Sequence, residues 1–302
     1  MSSMIEKALL GIDDLMADGG QLPATEAKTF IRTMTEQDTI MRTSRVVPMA
    51  SSTHNLSKIG FGSRILRAAN QGEGKRALSE NDRSKPTTGR VSLESKEVIA
   101  EVRIPYETIE DNIEKGQLTS TIIALIAQHA SVDIEEILIN GDTDDTDPFL
   151  ALFDGVLKRA NRHTVDATGF DIDSDLFSST VKSMPKKYRT NKRTINFFLP
   201  DDVEQDYRNA QSKRGTNLGD ATLTGDAPLR LFSSPAIPVA MLPDDQAIYT
   251  PPRNIIVGVQ RRITIETDKD ISAREVIFVV TARIACAVEE ADAIVKIINI
   301  GK

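Results

Sequence analysis

Between Val276 and Val288 every second residue is apolar: Val276, Phe278, Val280, Ala282, Ile284, Cys286 and Val288. The other register mixes Glu275, Thr281 and Arg283 with Ile277 and Val279. A period of two sustained over that length predicts a long strand with one buried and one partly wet face. Such a strand needs a sheet, and a matching run lies near position 100, where Val98, Ala100, Val102 and Ile104 alternate with Ile99, Glu101 and Arg103 before Pro105. Upstream, Ile255 to Thr267 predicts a second long strand, and Asp268-Lys269-Asp270 with Ser272 supplies turn chemistry. The end of the chain therefore reads as a hairpin that is scaffolding and not an active site.

The 302 residues call for two cores, or for one large core with excursions. The 40% apolar content suffices to bury one. With 44 acidic against 37 basic residues the net charge is -7, which gives no general drive toward nucleic acid. The single cysteine, Cys286, falls on the buried register and reads as a small hydrophobe instead of a nucleophile. No charged leader with an apolar core opens the sequence, and no run is long enough to span a bilayer, so a soluble chain made in the cytoplasm is expected.

Short helices are predicted over 3–17 and 24–34, too short to hold themselves together. After the extended piece Arg45 to Met49 come strand-like ends, Asn55 to Leu66 and Val91 to Pro105, around the polar stretch Asn70 to Arg90. That middle cannot bury enough apolar area to fold alone and reads as the tip of a long two-stranded arm. From Leu118 to Asn140 the period becomes helical, with Leu118, Ile122, Leu125 or Ile126, His129 and Val132 on one stripe and Ile123, Ala127, Ala130, Ile134 and Ile137 widening it. Asn140-Gly141 is a C-terminal stop, and a helix of this length spans about 35 Å. Residues 171–245 read as a separate α/β unit: a helix capped by Ser174 and ended by Pro185, a strand Thr194 to Leu199, a helix from Pro200, a loop Gly215 to Gly225 and an extended piece Ile237 to Pro243.

Chemistry is sparse. His54, His129 and His163 have no carboxylate or cysteine at ligand spacing, and His129 reads as an interior-facing helix residue. Gly60-Phe61-Gly62-Ser63 lacks the lysine of a P-loop. The acidic run Asp142 to Asp147 lacks the glycine and final glutamate of a calcium loop and reads as solvated. Lys182, Lys186, Lys187, Arg189, Lys192 and Arg193 form the densest basic cluster, with Tyr188 as its one aromatic, and read as a solvated or intersubunit face before a phosphate-binding one. No catalytic, cofactor-binding or metal-binding residue is assigned.

The order of these parts resembles the major capsid proteins of tailed bacteriophages, the Hong Kong 97-type fold. The blocks Asn254 to Glu266 and Val288 to Lys296 are similar to that family's ending. Ile134 to Asp142, followed by Phe153-Asp154-Gly155-Val156, resembles the end of its spine helix. The resemblance implies an α+β chain with an N-terminal arm (1–45), an extended two-stranded loop (46–104), a peripheral domain in two parts (105–159 and 251–302) and an axial domain (160–250). It implies a homo-oligomer of hexamers and pentamers forming an icosahedral shell around double-stranded DNA, with scaffolding, portal and decoration proteins as partners, in a virion capsid assembled in the host cytoplasm. Some relatives form lysine–asparagine cross-links. Lys75 and Lys85 lie in the right region to be donors, but no acceptor signature matches, and non-covalent locking is expected. Rival readings are an encapsulin-like bacterial compartment, a soluble enzyme with a lid over 70–90, and a DNA-binding protein using the 182–193 cluster.

Overall fold

The computed structural model describes residues 39–61, 65–66, 85–106, 118–213, 229–260 and 264–302. The helices expected over 3–17 and 24–34, residues 70–84 of the arm tip and the Gly215 to Gly225 loop lie outside them, while Pro86 to Arg90 of the expected tip are strand. In chain order the elements are α1 (Thr39–Thr43), β1 (Arg45–Met49), β2 (Thr53–Phe61), β3 (Pro86–Glu94), β4 (Lys96–Pro105), α2 (Leu118–Asn140), α3 (Val156–Arg159), β5 (Thr164–Asp166), α4 (Ser174–Ser183), β6 (Asn196–Leu199), α5 (Asp201–Ser212), β7 (Arg230–Leu231), β8 (Ser234–Pro238), β9 (Ala247–Thr250), β10 (Ile255–Gln260), β11 (Thr264–Asp270), β12 (Glu275–Val288) and β13 (Val295–Ile298).

The first sheet is organised by β12, the strand foreseen from the alternation. It pairs antiparallel with β10, β11 and β4, and β1 adds parallel to β10. Ile284 faces both Val259 of β10 and Lys96 of β4, so those two strands occupy opposite edges of β12. The segment Glu275 to Thr281 is shared in the same way by β11 and β4, which puts β10 and β11 along one edge. The expected single strand from Ile255 thus has a register shift. From Val259 to Thr264 it advances five residues while its partner moves three, from Ile284 to Thr281.

The hairpin turn lies further along than expected. Asp268 and Lys269 are inside β11, and the turn is Ile271–Arg274, with Asp270 accepting hydrogen bonds from the Ser272 and Ala273 amides and the Ser272 hydroxyl. Arg274, at φ 55°, takes the left-handed position that closes it.

Val276, Phe278, Val280, Ala282, Ile284 and Cys286 point into one core with Ile126, Ile134, Ile137 and Leu138 of α2. The helix has the bounds the sequence predicts, but its buried stripe is rotated: Leu125 and Val132 are 51% and 41% exposed, and His129 is exposed rather than interior. Apolar residues occupy more than one side of this helix, so periodicity alone could not choose the face that meets the sheet. At its end the chain returns so closely that a Cβ on Gly141 would stand 2.4 Å from the Phe153 carbonyl oxygen. One on Gly155 would lie 2.7 Å from that of Ile139. The Gly155 amide donates to the Gly141 carbonyl at 2.7 Å, and only two glycines allow this approach.

The second sheet has the order β5-β13-β9-β6-β8-β7. Both of its faces are covered. Phe197 and Tyr249 point to a core with Phe177 of α4 and Tyr207 of α5, whereas Phe198 and Ile248 point to the core beneath α2. Phe177 meets Phe197 and Tyr207 edge-on at 5.5 and 5.2 Å, and Phe197 stacks on Tyr249 at 4.3 Å. A sheet buried on both faces requires continuous apolar strands, which is why Ile195 to Leu199 contains so little alternation. The sheet reaches beyond 171–245: it takes β5, β9 and the C-terminal strand β13. The cap of α4 is Asp173, in extended backbone and accepting from the Asp175 and Leu176 amides, while Ser174 is already helical.

Substituting Gly155 with Ala should cost about 1–3 kcal/mol through forced backbone displacement. A fall in the denaturant midpoint at unchanged m-value checks it, and an unchanged midpoint would contradict the close approach.

Candidate assembly surface

The arm is narrower than the sequence suggested. It consists of β2 and β3, paired from Thr53↔Glu94 to Phe61↔Pro86, and β4 belongs to the first sheet instead. The two are separated at Ser95, whose amide and hydroxyl both donate to the Ser52 carbonyl at 2.8 and 3.1 Å. Nine-residue strands reach about 30 Å. At the root, Leu93 and Met49 are fully buried with Ile256, Ala285 and Ala287, and Leu56 and Val91 pack against them. Met49 lies over Gly258, where a Cβ would be 2.5 Å from its Sδ. Further out the side chains are open, and Ile59 is 73% exposed.

Charged groups flank the root. Lys58 of β2 pairs with Glu290, which also accepts from the Tyr188 hydroxyl at 3.1 Å. Arg45 pairs with Glu289 at 3.4 Å. The outer face of the first sheet carries Ile99, 70% exposed, beside the ion pairs Arg283–Glu97 at 2.6 Å and Arg103–Glu101 at 2.6 Å. Exposed apolar groups rimmed by charges on an arm and on a sheet face are the surface expected of a chain completed by its neighbours.

The residues singled out for chemistry are not brought together. His54 is in β2, His129 on the open side of α2, and His163 precedes β5 with its Nε2 4.0 Å from Asp292. Gly60 and Phe61 end β2, and Gly62 and Ser63 lie outside the described residues, as does Lys75. Lys85 is exposed just before β3. Cys286 is buried 3.9 Å from the Leu138 carbonyl, and burial pushes its thiol up to about 12. The described residues contain no cluster of three or more His, Cys, Asp or Glu side chains able to hold a metal, and no described helix is long and apolar enough to cross a membrane.

The acidic run does something the spacing did not reveal: Lys158 of α3 gathers Asp142, Asp144 and Asp154, the last two at 2.8 and 3.1 Å. The hydrogen bond from Lys158 is the main cause holding Asp142 below its ordinary range. Burial pushes Asp154 up, but hydrogen bonds from Thr143 and Lys158 outweigh it and the net shift is downward. Lowered carboxylates contribute stability above their unfolded pKa and lose it as they are protonated. The melting-temperature gap between the parent and Lys158→Met should therefore be open at neutral pH and close as pH falls below 3.8. A gap of constant size across that range would show the lysine to act through packing alone.

Of the basic cluster, Arg189 turns inward to the Val181 carbonyl at 3.1 Å and Lys187 sits over the Tyr188 ring at 5.1 Å. Lys182, Lys186, Lys192 and Arg193 are exposed.

Residues 19–298 match the family model described as the phage capsid family. The chain is 40% identical over 312 residues to the prophage capsid protein YqbE of Bacillus subtilis (strain 168), covering 98% of both. Among solved structures it is similar to the satellite phage P4 procapsid that includes the size determination (Sid) protein, with TM-score 0.67, 17% identity and 91% and 90% coverage of this chain and that one. The capsid of the native GTA particle gives TM-score 0.63 at 18% identity, covering 89% and 91%. The holo-SrpI encapsulin complex from Synechococcus elongatus PCC 7942 gives 0.60 at 11% identity, covering 86% of each.

Proposed function

Since the chain belongs to the phage capsid family, has the Hong Kong 97-type fold and is a major capsid shell protein, we propose that it assembles into the pentamers and hexamers of an icosahedral shell around double-stranded DNA. Its role on this reading is structural. Assembly takes place in the host cytoplasm around a scaffolding protein and a portal. In domain terms 1–45 form the N-terminal arm, 46–104 the extended loop, 105–159 and 251–302 the peripheral domain and 160–250 the axial domain. The pairing of β4 with β12, and of β13 with β5 and β9, supports moving the ends of 96–105 and 295–298 to the sheets they join.

The single observation that carries the reading is the β2–β3 ribbon, anchored among the described residues at its root. An isolated two-stranded ribbon is marginal in water. Laid across a neighbouring copy, it exchanges solvent for an interface whose burial offsets the cost of ordering it.

Co-expression with a scaffolding protein and electron microscopy test the assignment. Deleting residues 62–85 should leave a folded subunit, by circular dichroism and melting, that no longer closes shells; particles of normal size and stability from that deletion would count against it. Purified particles filled with protein cargo and free of DNA would favour the compartment reading over the viral one.

A further inference from the structure

We propose that the two ends of the second sheet form a charge-complementary, head-to-tail contact between neighbouring copies of this chain, an inference that rests on the shell reading above. The strand directions supply the geometry. β5 is parallel to β13 and β8 to β6, while β13 and β6 are both antiparallel to β9, so β5, β13, β6 and β8 all point the same way. α4 follows the end of β5 and α5 the end of β6, so both helices begin at one end of the sheet and run back toward the other. A ten-residue helix such as α4 covers about 15 Å in doing so.

Charge follows that axis. At the end where the helices begin stand Asp171, Asp175, Asp201, Asp202 and Asp244, all exposed and none ion-paired with a described residue. At the opposite end, between the close of α4 and the start of β6, stand Lys182, Lys186, Lys187, Lys192 and Arg193, also exposed and without an ion pair among the described residues. This loop is fixed: Arg189 donates to the Val181 carbonyl at 3.1 Å and the Ser234 hydroxyl to that of Lys192 at 2.9 Å. The faces of the sheet are covered by its own helices and by the core beneath α2, and its two ends carry exposed charge of opposite sign.

A second copy is the occupant that fits. Two-fold pairing of either end with itself would set like charges together, whereas repeated rotation places each basic end on the next acidic end and closes a ring. Duplex DNA would match only one end, and Tyr188, the aromatic group in the cluster, is held by Glu290.

The test uses two triple variants of the full chain. Lys182→Glu, Lys186→Glu and Lys187→Glu turn the positive end net negative, and Asp171→Lys, Asp202→Lys and Asp244→Lys turn the negative end net positive; none of these aspartates caps a helix. Each variant alone should lose the capsomers that the parent forms with its scaffolding protein, by sedimentation velocity and negative-stain imaging. Mixed in equal amounts, they should recover six-membered rings, because two kinds of subunit can alternate around six positions, and should not recover five-membered ones. The inference is overturned if either variant alone forms capsomers as the parent does, or if the mixture assembles no better than its components. It is equally overturned if the lysine variant assembles normally but loses affinity for duplex DNA, which would make the cluster a nucleic-acid surface. A parent chain that forms no capsomers overturns the shell reading and this inference with it.

Discussion

Strand β12 is hydrogen-bonded on both edges over most of its length, and the main core, the arm and the first sheet all converge on it. Its alternation of buried and open positions holds from Val276 to Ile284 and then stops, with Ala285, Cys286 and Ala287 buried in succession. The cause is local. Cys286 still points to the core under α2, while Ala285 and Ala287 point the other way into the cluster of Met49 and Leu93 that roots the arm. One strand thus presents its two faces to two apolar clusters, and small side chains at 285 and 287 leave room for the long ones of Met49 and Leu93. A central strand with both edges paired leaves no unsatisfied backbone groups there and no edge open to a foreign strand.

The second sheet follows a different rule. With helices on one face and the first core on the other, its stability is internal, and its strand ends and helix termini carry exposed charge. The arm is the reverse case, with open side chains beyond a small root. A molecule with one rigid, doubly covered sheet and one projecting ribbon separates two tasks: the sheet fixes the position of charged ends, and the ribbon supplies area that becomes ordered only against another copy.

Where sequence and structure agree, the agreement is physical. β12 and α2 were legible because each carries a long, uniform period that no other element type satisfies. The face of α2 was not legible, because Leu125 and Val132 are as apolar as Ile126 and Ile134 and only the sheet distinguishes them. The strand Val295 to Ile298 was not foreseen, and its place between β5 and β9 depends on partners more than forty residues away. The break at Ser95 went unrecognised because apolar alternation continues on either side of it, although the two runs serve different sheets. Likewise the convergence of Asp142, Asp144 and Asp154 on Lys158 depends on a loop closed by Gly141 and Gly155, and spacing along the chain carries no trace of the lysine's role.

The root of the arm shows which kind of interaction sets its position. Lys58 and Glu290 are both about one third exposed, and ion pairs in such settings contribute roughly 0–1 kcal/mol. Fully burying a side chain the size of Leu93 or Met49 is worth about 1.5–3 kcal/mol each. The apolar cluster therefore holds the ribbon to the body, and the ion pair selects among the directions in which it can leave. Glu290 is suited to that selection because it does not stand alone: its amide donates to Asn254 Oδ1 at 2.7 Å, its carbonyl accepts from Asn254 Nδ2 at 3.0 Å, and its carboxylate also takes the Tyr188 hydroxyl. Fixed from both sides, it ties the direction of the arm to the loop that carries the basic end of the second sheet. A contact made at that end by a neighbouring copy would then bear on the same carboxylate that orients the arm.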